Sequence, residues 1–416
     1  MSSSLSSLPE HTNTVDQRAI RRANLSAVLR RVATEGPRSR ATLAVETGFT
    51  KSTTSSLVGE LIERGLVVAT DEHERPGRVG RPGRTVRLDG DAIAAVGLEV
   101  NVDYLAVCVL DLGGRTRYQR RVEADNAGSS PARVLGRVTR LARDAIATVE
   151  EEGARVVGAA LAVPGLVDAA GELLIVAPNL GWQRVRCGRE LRRRLDRPDL
   201  TILVDNEANL AALAEHWEGA ASDLRDVVVL SGTVGIGAGM LVDGRLFRGR
   251  HGFAGELGHV TVDPDGARCA CGARGCLETV AGKAGLLRAA GIPRRDLREL
   301  LARAHRGDAR TLATLATAGQ ALGIALADSV SLLDPQAVVL GGYLTAFSDW
   351  LLGPLHTELT TRVLGAETRA CELRVGLLAD RAAVRGAAAS ILSAVLADPM
   401  LVGARYRADS SSSISS

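Results

Sequence analysis

Apolar residues recur at helical spacing near the start of the chain and in short β-type runs further on, and the change of pattern divides it. From Arg21 to about Glu35, Leu25, Val28, Leu29 and Val32 share one helix face. Gly36-Pro37 ends that helix, and Ser39 can cap a second one with Leu43, Ala44 and Val45 turned inward. Gly48 offers the turn a residue tolerant of positive φ. The run TKSTTSSLVGELIERG (50–65) predicts a third helix with Leu57, Val58, Leu61 and Ile62 inward. A short strand at 66–68, a charged tip and a return strand at 85–88 follow. Helix, helix, helix and hairpin in that order predict a winged helix-turn-helix over residues 21–88.

From Ala92 onward, β-type runs alternate with Ala/Leu-rich helical stretches, the pattern of an α/β fold. The predicted strands are AAVGLEV, YLAVCVLDL, VVGAALAV, TILVDN, DVVVLSG, GAGMLVDG and AVVLGG; helices are predicted over 131–151 and 311–333. Aromatic content is 3%, so the core is built from Ala, Val and Leu. The Ser-rich ends, 1–20 and 408–416, hold too few apolar groups to offset ordering entropy and are expected to be disordered. With no apolar leader and no uninterrupted apolar run of bilayer length, a cytoplasmic protein without a membrane partner is expected.

Charge sharpens the reading of the head. Residues 21–88 hold 13 Arg or Lys against 7 Asp or Glu, a net of +6, which leaves −3 for the rest of a chain of net +3. A basic segment on a mildly acidic body points to an anionic partner for that segment alone. The leading end of the third helix carries Lys51, Ser52, Thr53, Thr54 and Ser56, short donors and one cation suited to phosphates and base edges in a major groove. The wing, ERPGRVGRPGRT, sets Arg78, Arg81 and Arg84 among Gly and Pro, slim enough for a minor groove. Double-stranded DNA, an operator, is the expected partner.

Of the six cysteines, Cys269, Cys271 and Cys276 lie within eight residues of one another, and His259 stands ten residues before the first. In a cytosolic chain such a cluster reads as a metal site sooner than as a disulfide framework. Three thiolates and one imidazole would complete a tetrahedral shell with no open position, the pattern of a structural site.

The segments LSGTVGIGAGMLVDGRLFRGRHGFAGELGH (230–259), CACGARGC (269–276) and VDNEANLAALAE (204–215), with VPGLVD, PNLGW and VVLGG, resemble the ROK family of repressors, open reading frames and sugar kinases. The resemblance covers nearly all of residues 92–400. It implies a two-lobed, actin-like (sugar kinase/ribonuclease H-like) ROK domain, with lobes parting near residue 205. It also implies sugar contacts at Asn206, Glu207, Glu256, His259, Glu278, Asn179 and Gly165, and zinc ligands at His259, Cys269, Cys271 and Cys276. Glu207 falls where the family's kinases carry an Asp as general base. Gly232, Thr233, Gly235 and Gly237 are the remnant of a phosphate loop.

One segment departs from that pattern. The kinases of the family begin the body with Asp-x-Gly-Gly-Thr, a phosphate-cradling turn, where this chain has Glu99-Val100-Asn101-Val102-Asp103. A β-branched Val102 is ill suited to positive φ. An Asp103 at a polyphosphate would repel it by roughly 4 kcal/mol at 4 Å and an effective dielectric of 20. The expected protein is therefore a sugar-responsive transcription regulator, a homodimer or tetramer binding a sugar or sugar phosphate. Repression relieved by the sugar is the expected sign. The alternatives are an active ATP-dependent sugar kinase carrying a DNA-binding head, and a constitutive DNA-binding protein whose body only dimerises.

Overall fold

A computed structural model describes residues 17–73, 84–293, 296–366 and 371–403, with no side chains given for 71–73. They form two compact units, one of residues 17–89 together with 393–403, the other of residues 90–392.

In the first unit, α1 (Gln17–Glu35) starts ahead of the expected Arg21, because Gln17-Arg18-Ala19-Ile20 contains no helix breaker. Then come β1 (Arg38–Ser39), α2 (Arg40–Thr47), α3 (Lys51–Glu63), β2 (Val67–His73) and β3 (Arg84–Leu88), with sheet order β1-β3-β2. Ser39 caps α2 as expected, its Oγ accepting from Thr42 N at 3.1 Å, and Gly48 closes that helix with φ +72°. Leu25, Val28, Leu29, Leu43, Leu57 and Leu61 fill the core. Val45 does not join them. At 100° per residue it lies far around α2 from Leu43, and it is 67% exposed.

The unit is completed from the far end of the chain. Ser26 Oγ donates to Leu396 O (2.8 Å), and Arg64 Nη1 donates to Val402 O (2.5 Å). The body thus ends near 392, not at the expected 400. Local pattern cannot reveal this, since 393–403 acquires its place only through bonds to residues more than 300 positions earlier.

The second unit contains two lobes. Lobe one holds β4 (Ile93–Val100), β5 (Tyr104–Asp111), β6 (Thr116–Glu123), α4 (Pro131–Glu151), β7 (Arg155–Val163), β8 (Leu166–Val167), β9 (Leu174–Ala177), β10 (Trp182–Val185), α5 (Cys187–Leu195) and β11 (Thr201–Asn206). Its main sheet runs β11-β7-β4-β5-β6, with β4, β5 and β6 antiparallel and β7 and β11 added in parallel. β4 and β5 are buried along their whole length, which is why they read as unbroken apolar runs. The edge strand β6, TRYQRRVE, is largely exposed and polar and gave no such signal.

Lobe two follows with α6 (Glu207–Glu218), β12 (Val227–Gly232), β13 (Ile236–Val242), β14 (Arg245–Leu246), α7 (Leu277–Ala281), α8 (Lys283–Ala289), α9 (Leu297–His305), α10 (Ala309–Leu333), β15 (Ala337–Gly342), α11 (Ser348–Arg362) and β16 (Glu372–Val375). Its sheet order is β14-β13-β12-β15-β16. α10 is long and apolar enough to cross a membrane by composition, but Leu315, Leu322 and Leu326 are buried in the core of this lobe. α12 (Ala382–Ala397) then returns to lobe one. A Cβ on Gly97 of β4 would lie 2.0 Å from Val384 O, so helix and sheet touch backbone to backbone.

Candidate functional site

The junction of β11 and α6 places Asn206 and Glu207 together. Asn206 caps α6, its Oδ1 accepting from Ala208 N (2.8 Å) and Asn209 N (3.3 Å) while its Nδ2 donates to Gly165 O (2.9 Å). That amide is thus committed to holding the PG segment of lobe one against the first turn of lobe two.

Glu207 and all the other expected sugar-contact residues line one cavity of about 580 Å³: Gly165, Asn179, Asn206, Glu207, Glu256, His259 and Glu278. Thr233, Gly235 and Gly237 of the glycine loop also line it, whereas Gly232 packs beneath, against Tyr343 and Leu344. Local spacing did not flag Leu166, Val176, Trp182 and Gln183, which complete the walls. Trp182 is buried, with its indole N–H donating to Ser129 O (2.8 Å). The PNLGW segment was the only sequence signal for it.

Glu207 is 8% exposed. Thr233 Oγ1 donates to its Oε1 (2.9 Å), and its Oε2 is buried without a protein partner. Burial, opposed by the Thr233 bond and reinforced by Glu99, Glu256 and Glu278, pushes its carboxyl up to about 8. Glu99, at the end of β4, accepts from Tyr104 OH (2.6 Å) and is pushed by burial up to about 7. Burial also raises Glu256, with His259 pulling the other way. Glu278 sits against the loop. A Cβ on Gly235 would lie 1.7 Å from its Oε2, so only glycine lets this carboxylate approach. Burial thus favours the protonated form of Glu207, in which a carboxyl can both donate to and accept from a hydroxyl.

His259, Cys269, Cys271 and Cys276 bring one ligand atom each within 4.8 Å of one another. Cys271 Sγ and Cys276 Sγ are 3.8 Å apart. Two thiolates on a tetrahedral zinc with bonds of about 2.3 Å would be about 3.8 Å apart. The set fits a closed four-ligand shell. His259 Nδ1 faces Cys269 Sγ (3.7 Å) and its Nε2 lies 3.8 Å from Glu256 Oε2, so a metal on Nδ1 leaves the other nitrogen toward the cavity.

On the first unit, α3 exposes Lys51, Ser52, Ser55 and Ser56, with Thr53 half-buried. Thr54 is a correction. It is fully buried, with its Oγ1 donating back to Thr50 O (3.0 Å), and faces the core. Helical phase puts Ser55, which the reading by composition passed over, on the outer face in its stead. Arg84 is exposed at the start of β3; Arg78 and Arg81 lie outside the described residues.

The turn expected to repel polyphosphate is more settled than the sequence implied. Asp103 does not stand as an unmatched charge, for Lys283 Nζ lies 2.5 Å from its Oδ2.

Comparison with known proteins adds two family matches, the ROK family over residues 95–394 and the MarR family over 26–78. The chain is 28% identical over 379 residues to the xylose repressor of Bacillus subtilis (strain 168), covering 91% of this chain and 97% of that one. Among solved structures it is similar to a ROK family transcriptional regulator described as a homolog of the E. coli MLC protein, with TM-score 0.79 and 25% identity over 92% of this chain and 98% of that one. A ROK family glucokinase from Streptomyces griseus, in complex with glucose and AMPPNP, matches with TM-score 0.63 and 26% identity over 71% of this chain and 98% of that one.

Proposed function

The chain belongs to the ROK family, and on that premise we propose that it is a sugar-responsive DNA-binding transcription regulator, a repressor of carbohydrate-metabolism genes, that works without phosphorylating its sugar. The observation that carries the reading is Glu207 Oε2, a buried carboxyl oxygen on the wall of a sugar-sized cavity with no protein partner. A buried polar atom costs roughly 1–3 kcal/mol when unmet, and a ligand hydroxyl would meet it. The tandem of a MarR-type head and a ROK body supplies the other half, since Lys51, Ser52, Ser55 and Ser56 form a polar face fit for a major groove.

In this reading Glu207, Glu256 and Glu278 hold the sugar hydroxyls, with Asn179 and Gln183 also lining the cavity. Glu207 occupies the place where the family's kinases carry an Asp as general base, with a side chain one methylene longer. His259, Cys269, Cys271 and Cys276 hold a structural zinc, which leaves no open coordination position and fixes the wall formed by Ala270 and Cys271. A homodimer presents two heads to two operator half-sites. Sugar favours one arrangement of the lobes through its difference in affinity for the two states, and DNA affinity changes with it.

The test uses a DNA fragment selected by the wild-type protein from random sequence, with binding followed by anisotropy during titration with D-xylose, D-glucose and N-acetylglucosamine. At least one sugar is expected to shift the apparent Kd; no shift with any sugar overturns the sensor reading. The kinase reading draws support from the glucokinase match and is separated in the same tubes, since sustained ADP release on adding Mg-ATP would establish it.

A further inference from the structure

The β4–β5 turn has its polar groups engaged inside lobe one. Asn101 N–H donates to Tyr104 O (3.0 Å) and Asp103 N–H to Asn101 Oδ1 (3.1 Å). Asn126 Nδ2 donates to Asn101 O (2.7 Å), Asn126 N–H to Val102 O (2.9 Å) and Ala124 N–H to Asp103 O (2.9 Å). Asn101 and Val102 are themselves buried. A phosphate cradle needs convergent backbone N–H groups left open to the ligand, and two of this turn's are already committed.

The Asp103 carboxylate meets a cation from the other lobe. Lys283 opens α8, and its backbone N–H donates to Val234 O (3.2 Å), in the middle of the glycine loop that lines the cavity. Its ammonium crosses to Asp103, and the two side chains retain only 17% and 29% exposure. Asp296, at the cap of α9, is held below the usual carboxylate range by the backbone and side chain of Arg298, with Lys283 adding only a smaller pull. Lys283 is rooted beside the glycine loop through its backbone, and the anion its ammonium meets is the protein's own Asp103.

We propose that Asp103 is an internal phosphate mimic, filling a polyphosphate subsite formed by Lys283 and the glycine loop and joining the two lobes without any nucleotide. The inference deepens the reading of the cavity as a sugar site that works without ATP, and rests on that reading for its purpose. Its anion chemistry is testable apart from any sugar.

The full-length protein is titrated calorimetrically with sodium tripolyphosphate at low salt, as wild type, Asp103→Asn and Asp103→Asn/Lys283→Met. Removing the resident anion is expected to raise affinity at least about 10-fold over wild type, and removing the ammonium as well to abolish the gain. Equal affinity in wild type and Asp103→Asn overturns the proposal, as does a gain that survives Lys283→Met. If Asp103→Asn loses its cooperative thermal transition, Asp103→Ser takes its place with the same expectations. A wild-type protein whose DNA affinity ignored every sugar would sink the sensor reading and leave this comparison standing. A sugar response with no gain in Asp103→Asn would sink this inference alone.

Discussion

The two ends of the cleft differ in how their polar atoms are met. At the cavity end, Glu207 keeps one oxygen without a protein partner, and Glu256, His259 and Glu278 gather on the same cavity. At the β4–β5 end, backbone donors and acceptors are tied up inside lobe one, and Asp103 is matched by Lys283. The same fold thus carries one end open to a ligand and another closed on itself. Glu99 Oε2 and Asn126 Oδ1, beside the β4–β5 turn, are also buried without a partner, so the contrast lies in the turn's backbone and in the Asp103–Lys283 pair.

The largest effect should come from removing the wall that keeps the cavity end in shape. Cys276→Ser is expected to reduce bound zinc from one ion per chain to near none by elemental analysis, and to lower the melting temperature by about 5 °C or more. Full zinc retention in that variant would dissolve the proposed metal site.

Next is Gly235→Ala, whose Cβ would collide with Glu278 Oε2. Sugar affinity measured by calorimetry should fall by about 10- to 100-fold, with tripolyphosphate affinity unchanged from wild type. Unchanged sugar affinity would remove Glu278 from the open end.

A smaller effect is read by pH. The Glu207 carboxyl titrates near 8 in the fold against an ordinary 4.5, so the folded chain keeps a proton that the unfolded chain releases. Stability from this group is therefore fully present below about 4.5 and lost as pH rises to about 8, by at most about 1.4 kcal/mol per pH unit. The melting temperature should fall between pH 6 and pH 8, and Glu207→Gln, which cannot ionise, should fall less. An identical fall in both proteins would show that Glu207 is not the titrating group.

The smallest effect lies on the head, outside the cleft. Lys51→Ala should weaken DNA binding across sequences and reduce the salt slope by about one, with sugar affinity untouched. Thr54→Val should instead alter the stability of the head, since the Thr54 hydroxyl bonds within the fold. A salt slope unchanged by Lys51→Ala would remove that residue from the phosphate contacts.

Much of this protein was determined by the sequence alone, wherever the physics is local. The buried strands β4, β5, β7, β11, β12, β13 and β15 were readable because both their faces are apolar, and the caps at Ser39 and Gly48 because turn chemistry restricts the residue. The gathering of His259 with Cys269, Cys271 and Cys276 was readable because the cysteines are close in the chain. Other features were decided only by tertiary structure. Thr54 and Ser55 are neighbours of like chemistry, and packing put one in the core and the other outside. The polar edge strand β6 exists because β5 offers it a ladder. Residues 393–403 belong to the head because Ser26 and Arg64 bond to them. Asp103 and Lys283, 180 residues apart, become a pair only when two lobes meet. Periodicity and capping act over a few residues, while the matching of a buried charge depends on whatever the fold brings beside it.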